Sequence, residues 1–455
     1  MQPMNFIDSF ISMFQSEIFR SLARQTRWLK RQGKIDAFDF LISHLGQASA
    51  LRLTLDAQAN SLAVPVSRQA IHGRYTQEAT DFFKASYQHV LAQALAIPPQ
   101  SPMAGALRQY FSAVYLLDST SFDVTPALKD IFPGCGGNAS EANVKLLLRY
   151  EFISGQLEPS QLLPGKNNDQ GLAVQTARCL TKGQLQLQDR GFFDCQSWRE
   201  VQAAGAFLVM PWTRSVTAWL PQEGSDPERR LDVAAVLAAA TQNQVSWPQV
   251  LLGLGKNRVG PLRMVAFRLS EESASRHRAA FRESAQRRGH TPSQEGLELA
   301  GWIILLTNAP EAMLPDHILS YLYSLRWQVE LIFRQCKDTL RLDQGRSDNP
   351  CRVQCEIWAR LLVAVMAFLL HAHADAVSWA THRIQISFEK VARNLQANGL
   401  SLARALVAGG PALRAELLHL WRGLLLIARK GRQKSRTNTY DRLLDTWLEP
   451  KSALI

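Results

Sequence analysis

From Asn5 to about Leu95, apolar residues recur at the spacing of helices with one buried face, so this stretch is expected to be helical throughout. Within it, Leu53–Leu62 and Ser67–Tyr87 read as two helices joined by Ala63-Val64-Pro65-Val66, since Pro65 cannot continue the first helix and Ser67 suits the N-cap of the second. The period changes after about Met103. Ser112–Leu117 and Val144–Phe152 are rich in apolar and β-branched residues, Gln184–Gln188 alternates, and Ala206–Met210 is a short apolar run. All four predict strands, with helices expected at Leu172–Leu180 and Asp194–Ala204 between them, and so an α/β arrangement. From Thr213 to Leu299 weaker strand patterns (Val245–Leu252 and Leu262–Leu269) stand around a basic helical stretch. An apolar strand follows at Gly301–Asn308, then a long helix from Pro315 to Leu340, then a mostly helical remainder from Arg352. The pattern divides the chain into a helical region at 1–102, an α/β domain at 103–212, an inserted subdomain at 213–300, a return to the α/β domain at 301–348, and a helical region at 349–455.

The length of 455 residues, with 46% hydrophobic and 20% charged positions, allows several domains with real cores. The formal net charge of +12 favours a polyanionic partner, because lysine and arginine release counterions condensed on phosphates. Arg20, Arg24, Arg27 and Arg31 recur at four, three and four residues and so are expected to share one helix face; a solvated face and a phosphate-binding face both fit. Arg276, Arg278, Arg282, Arg287 and Arg288 make the inserted helix basic, and residues 421–440 carry six basic residues and no acid. The six cysteines are scattered, and Cys351 and Cys355, four apart, have no second pair to complete a structural zinc site. Residues 1–16 are amphipathic without a basic leader, so a reducing, cytoplasmic location is expected. The longest apolar run, Ile357–Leu370, contains Arg360 and is too short for a bilayer; a buried helix and no membrane association are expected.

Candidate chemistry is concentrated in the segment from Tyr323 to Lys337. Tyr323, Arg326, Glu330 and Lys337 fall on one face of a continuous helix at about 100° per residue. A salt-bridged surface would give the same face, Arg326 and Glu330 being an i,i+4 pair. Two further acids change the picture. Asp118 follows the apolar Val114–Leu117, and Asp189 follows Leu185–Gln188 and precedes Arg190-Gly191-Phe192. Carboxylates at strand ends, with a polar or glycine-containing turn behind them, suit hard metal ions. Three of them can hold two Mg²⁺ about 4 Å apart for in-line phosphoryl transfer. Near the N-terminus, Arg68, Gln69 and His72 open the second helix of a pair that resembles a helix-turn-helix and are able to reach base edges. Asp123 reads as a turn residue, Asp194 as an N-cap, and Lys145 and Arg149 as either DNA contacts or surface charge. There is no phosphate-binding GxxxxGK[ST] loop.

Asp118, Asp189 and Glu330, with the spacing Tyr323-(2)-Arg326-(3)-Glu330-(6)-Lys337, resemble the DDE transposases of insertion-sequence family 4. The resemblance runs from about residue 40 to about 400 and takes in Ile131–Gly137 and the Asp189-Arg190-Gly191-Phe192 context. It implies a ribonuclease H-like catalytic domain with a β-rich insertion before its last acid, flanked by helical N- and C-terminal regions. It implies Asp118, Asp189 and Glu330 as ligands of two Mg²⁺ ions, with Mn²⁺ able to substitute. Tyr323, Arg326 and Lys337 would contact terminal phosphates, and Trp302 would match a base-stacking tryptophan of hairpin-forming relatives, a core tryptophan being the competing reading. The partners implied are double-stranded DNA, as transposon inverted repeats and target, and a second copy of the chain in a homodimer. The activity implied is cut-and-paste DNA transposition. Its rivals are a ribonuclease H-like nuclease without strand transfer and an inactive, transposase-derived DNA-binding repressor.

Overall fold

The computed structural model describes residues 3–31, 33–47, 54–95, 107–136, 140–154, 156–158, 161–221, 229–254, 257–326, 330, 347–382 and 384–429. These residues divide into two compact units. The first draws on 1–105, 118–167 and 327–436, the second on 106–117 and 168–326.

In the first unit, helices from both ends of the sequence share one core. They are α1 (Pro3–Met13), α2 (Ser16–Gln25), α3 (Ala37–Gln47), α4 (Leu55–Ser61), α5 (Arg68–His72) and α6 (Gln77–Leu95), joined by Pro350–His382, Phe388–Ala397, Gly399–Ala408 and Gly410–Ile427. Pro350–His382 packs along α6 and α3, and Phe6 of α1 stacks against His373 and Trp421. Gly399–Ala408 crosses α3 so closely that a Cβ on Gly46 would lie 2.7 Å from the Ala403 Cβ. Only glycine fits there. Pro350–His382 is long and apolar enough to cross a membrane, but 94% of its most apolar window is buried, and it serves as a core helix. The charges on its buried side pair along the helix: Glu356 accepts from Arg352 Nε at 2.9 Å and lies 3.8 Å from Arg360 Nη2. Burial raises the Glu356 pKa against the pull of Arg360 and Arg352.

The expected helix over Ser67–Tyr87 is two helices, α5 and α6, and the reason is tertiary. Tyr75, between them, is drawn into a buried polar cluster: its hydroxyl donates to Gln58 Oε1 at 2.6 Å, and the Gln58 amide donates to His44 Nε2 at 2.9 Å. His44 Nδ1 donates to the Phe40 carbonyl at 2.8 Å, and burial lowers the imidazole pKa to about 3, so it stays neutral. Also in this unit, β2 (Asn143–Glu151) pairs antiparallel with β3 (Gln156–Leu157) and β4 (Gln161–Pro164).

In the second unit, residues 113–117 of β1 (Ala113–Asp123) begin a sheet that continues through β5 (Gln184–Gln188) and β6 (Phe207–Pro211), all parallel. β11 (Trp302–Thr307) then pairs antiparallel with β6, followed by β10 (Asn257–Arg268), β9 (Gln244–Leu254), β7 (Thr217–Leu220) and β8 (Arg229–Arg230). The two strands expected in the 213–300 segment therefore form, joined by β7 and β8, which carry too little pattern to announce themselves. Helices Asp169–Ala177 and Cys195–Ala203 occur where crossovers between parallel strands require them, and their caps are Asn168 and Asp194, whose side chains accept from Gly171 N and Ser197 N. Trp198, Tyr115, Leu208, Met264 and Leu306 belong to the buried cluster against one face of this sheet.

Candidate active site

β1 and β5 pair in register from Ala113 with Gln184 to Leu117 with Gln188, and the next residue on each strand is an aspartate. Burial changes at the same step. Val114–Leu117 and Leu185–Gln188 are buried, whereas Asp118 and Asp189 are half-buried. Parallel strands are usually covered on both faces, and β5 follows that rule despite its alternating sequence: Gln186 and Gln188 are each 1% exposed. They satisfy part of their polarity mutually, Gln186 Nε2 donating to Gln188 Oε1 at 2.8 Å. The Gln188 amide in turn donates to the Phe192 carbonyl at 3.3 Å, strapping down the short 3₁₀ turn Arg190–Phe192 that follows Asp189.

The Asp189 carboxylate has no hydrogen bond or ion pair among the described residues, so its oxygens are open to a ligand. Gly191 leaves space beside it: a Cβ there would lie 4.0 Å from Asp189 Oδ2 and 3.6 Å from Asp169 Oδ2. Asp169 is thus a second carboxylate facing the same turn, unremarked in the sequence because Asn168-Asp169 ahead of an apolar run reads as an ordinary helix start. Asp118 differs from expectation in one respect. The strand does not stop before it but runs on to Asp123, with Phe122 buried, and Asp118 Oδ1 accepts from Ser119 N at 2.8 Å. Asp123, the last residue of the strand, accepts from the Asn143 amide at 2.8 Å.

Of the helix expected over Pro315–Leu340, residues 327–329 and 331–340 lie outside those described; its first part ends at Ser324, and the next two amides, of Leu325 and Arg326, bond back three residues to Leu322 and Tyr323 at 3.0 Å. This tighter turn brings Tyr323 and Arg326 together. Arg326 Nε donates to the Tyr323 hydroxyl at 2.9 Å, and its guanidinium lies 5.6 Å from the ring centroid. Glu330 is helical and half-buried. Lys337 lies outside the described residues.

The start of helix Asp316–Ser324 is bolted to the sheet. Buried Asp316 takes Arg263 Nη1 of β10 at 2.5 Å, the Ser246 hydroxyl of β9, and Gln244 Nε2 at 3.3 Å. Arg263 Nη2 also donates to the Leu314 carbonyl at 2.5 Å. Burial lowers the Arg263 pKa, with Asp316 opposing.

Trp302 is 7% exposed within the second unit's core, and Arg268, its register partner on β10, lies over the indole at 4.5 Å. Lys145 donates to the Asn167 carbonyl at 2.5 Å, and Arg149 is buried against Glu158 at 3.1 Å, so both are held by the protein. In the N-terminal helices, the Ser67 cap forms as expected, accepting from Ala70 N at 3.2 Å. α5 is anchored by buried Ile71 and turns Arg68, Gln69 and His72 to solvent.

Among the described residues no three His, Cys, Asp or Glu side chains gather as a metal cluster. The donor chemistry nonetheless fits a hard divalent cation: the candidate ligands are carboxylates, and that of Asp189 is open.

A family model described as the transposase DDE domain matches residues 109–366. The transposase of insertion sequence IS231B from Bacillus thuringiensis subsp. berliner is 23% identical over 96% of this chain and 95% of its own length. That of IS1151 from Clostridium perfringens is 22% identical over 84% of each chain. A putative transposase of IS186A from Escherichia coli strain K12 is 30% identical over 41% of this chain and 50% of its own. Among solved structures, a piggyBac transposase in a synaptic complex with hairpin DNA aligns over 96% of this chain and 88% of its own, at 12% identity and a TM-score of 0.44.

Proposed function

The chain belongs to the family of transposases with a DDE domain, and from that premise we propose that Asp118, Asp189 and Glu330 are its catalytic acids. It is a DNA transposase of an insertion sequence, an enzyme that cleaves DNA, transfers strands and uses divalent metal ions. The observation that carries the assignment is the β1–β5 ladder, whose last pair is followed on both strands by an aspartate just where burial ends. A parallel sheet core with an antiparallel extension through residues 213–300 supports a ribonuclease H-like domain bearing an insertion. Asp118, Asp189 and Glu330 would hold two Mg²⁺ ions, replaceable by Mn²⁺, whose charge would favour ionisation of the attacking water or 3′-hydroxyl and offset the charge on the leaving oxygen.

The other signature residues act on the substrate's charge. The Tyr323 hydroxyl fixes the plane of the Arg326 guanidinium, and a fixed fork recognises a phosphate at a smaller cost in entropy. Lys337 supplies a second cation. Trp302 would stack on an unpaired base only after Arg268 leaves its face. The substrates we assign are the element's inverted repeats and target DNA, with two copies of the chain holding paired ends.

The test is strand cleavage and strand transfer in Mg²⁺ on linear duplexes carrying candidate element ends. Nicking without joining under all conditions would favour a plain nuclease, and binding without either would favour a repressor. Arg326→Ala and Lys337→Ala should each weaken end binding and lessen the steepness of log K against log salt by about one phosphate's worth of counterions. Unchanged affinity and slope in both would remove these side chains from DNA engagement. Arg68→Ala and Gln69→Ala should cost about 1–3 kcal/mol for each base edge no longer read, on repeat DNA and not on random duplex. Equal losses on both would reduce α5 to phosphate binding.

A further inference from the structure

The stripe Arg20, Arg24, Arg27, Arg31 does not exist as one helical face, because α2 ends at Gln25. Arg20 turns inward to Asp36 at 2.7 Å and to Glu17 at 2.5 Å. Arg27 and Arg31 instead belong to the loop between α2 and α3, together with Lys30 and Lys34, and no acid occurs between Glu17 and Asp36. Arg27, Arg31 and Lys34 are exposed and form no ion pair among the described residues.

Two features show that this loop is built to present charge. Arg27 has φ 61°, the one non-glycine residue among those described in the left-handed region. Immediately after a helix cap that conformation is usually given to glycine, since a side chain makes it costly. An exposed arginine in a position that favours glycine, with no ion-pair partner among the described residues, leaves its charge available to a ligand. The second feature is a groove of about 740 Å³ behind the loop, lined by Lys34, Pro65, Ser67, Gln69, Gly73 and Arg74. Its inner cation is held in place: Arg74 lies 5.4 Å from the Trp28 ring, whose Nε1 donates to the Arg74 carbonyl at 3.0 Å. Trp28 itself is wedged between Phe40 and Phe82. Cations therefore line both the loop and the groove, and the groove adjoins the exposed side chains of α5.

We propose that the α2–α3 loop and this groove clamp the phosphate backbone of duplex DNA beside the base pairs that α5 approaches, an inference resting on the reading of this unit as DNA-binding. Arg27, Arg31 and Lys34 neutralise phosphates, and Arg74, fixed on Trp28, holds the strand that enters the groove. Such contacts set register and affinity without reading sequence.

The test uses the full chain in Arg27→Gly and Arg31→Ala/Lys34→Ala forms. Binding to a repeat duplex and to a shuffled duplex is measured between about 50 and 200 mM salt. Both forms should lose affinity equally on the two duplexes, with the slope of log K against log salt reduced by about one for each phosphate no longer neutralised. Arg27→Gly should do so with an unchanged or raised Tm, because glycine relieves the left-handed backbone. Wild-type slopes and affinities in both forms, a loss confined to the repeat duplex, or a lowered Tm in Arg27→Gly would each overturn the clamp. A wild-type chain that binds neither duplex would overturn the DNA-binding reading of the unit as well, a failure distinct from intact binding that ignores the loop.

Discussion

Exchanging Asp189 for asparagine is expected to lower strand cleavage and strand transfer by at least about 10³-fold, roughly 4 kcal/mol of barrier, while duplex binding persists. The substitution is nearly isosteric, so the ladder of β5 and the turn strapped by Gln188 should survive it. What it removes is a negative charge and one of two oxygens able to hold a divalent cation. The half-buried Asp189 carboxylate has no ion pair or hydrogen bond among the described residues, so the loss should appear in chemistry and not in stability. If the proposed assignment to one metal pair holds, Asp118→Asn and Glu330→Gln should behave alike, because ligands of a shared pair fail together. Calorimetric titration with Mn²⁺ gives a readout independent of turnover: each variant should bind the ion more weakly. A variant that cleaves within about ten-fold of wild type, a difference of only about 1.4 kcal/mol, would take that residue out of the catalytic set.

Much of the strand framework around the candidate residues could be read from the chain, and the limits of that reading are physical. The strands ahead of the two aspartates were legible because each is a run suited to a strand, and Ala113–Leu117 and Gln184–Gln188 do pair in register. The extent of β1 was not legible. Ser119-Thr120-Ser121 reads as a turn, yet the strand continues through it, since serine and threonine are tolerated in a strand whose Phe122 is buried. Alternation in β5 normally marks one wet face, but here both glutamines are buried and bonded to each other, a long-range outcome that periodicity does not encode. The break between α5 and α6 has a similar origin, in Tyr75 reaching Gln58 and His44 far away in sequence. The signature helix is the sharpest case. Spacing places Tyr323 and Arg326 near one another on any helix, but their hydrogen bond comes with a 3₁₀ turn after Ser324, where a continuous helix was expected.

Least legible of all was the Arg263–Asp316 pair, 53 residues apart, and it carries the largest expected effect on stability. Removing one partner, as in Asp316→Ala, should destabilise the second unit by about 3–5 kcal/mol, because the other charge is left buried and unpaired. Arg263→Met with Asp316→Leu should recover most of that loss, since buried ion pairs are often matched by apolar residues of similar volume. The double variant then separates holding from positioning. Asp316 opens the helix that carries Tyr323 and leads into the turn holding Arg326, and its oxygens gather Arg263, Ser246 and Gln244 from two neighbouring strands. An apolar pair fills the space without fixing that angle. The expected result is therefore a folded double variant, close to wild type in thermal unfolding and DNA affinity, whose cleavage rate at saturating DNA stays well below wild type. Full activity in the double variant would make the pair structural glue alone. A cost under about 1 kcal/mol in both single variants would show that the pair is solvated in solution, as exposed ion pairs are.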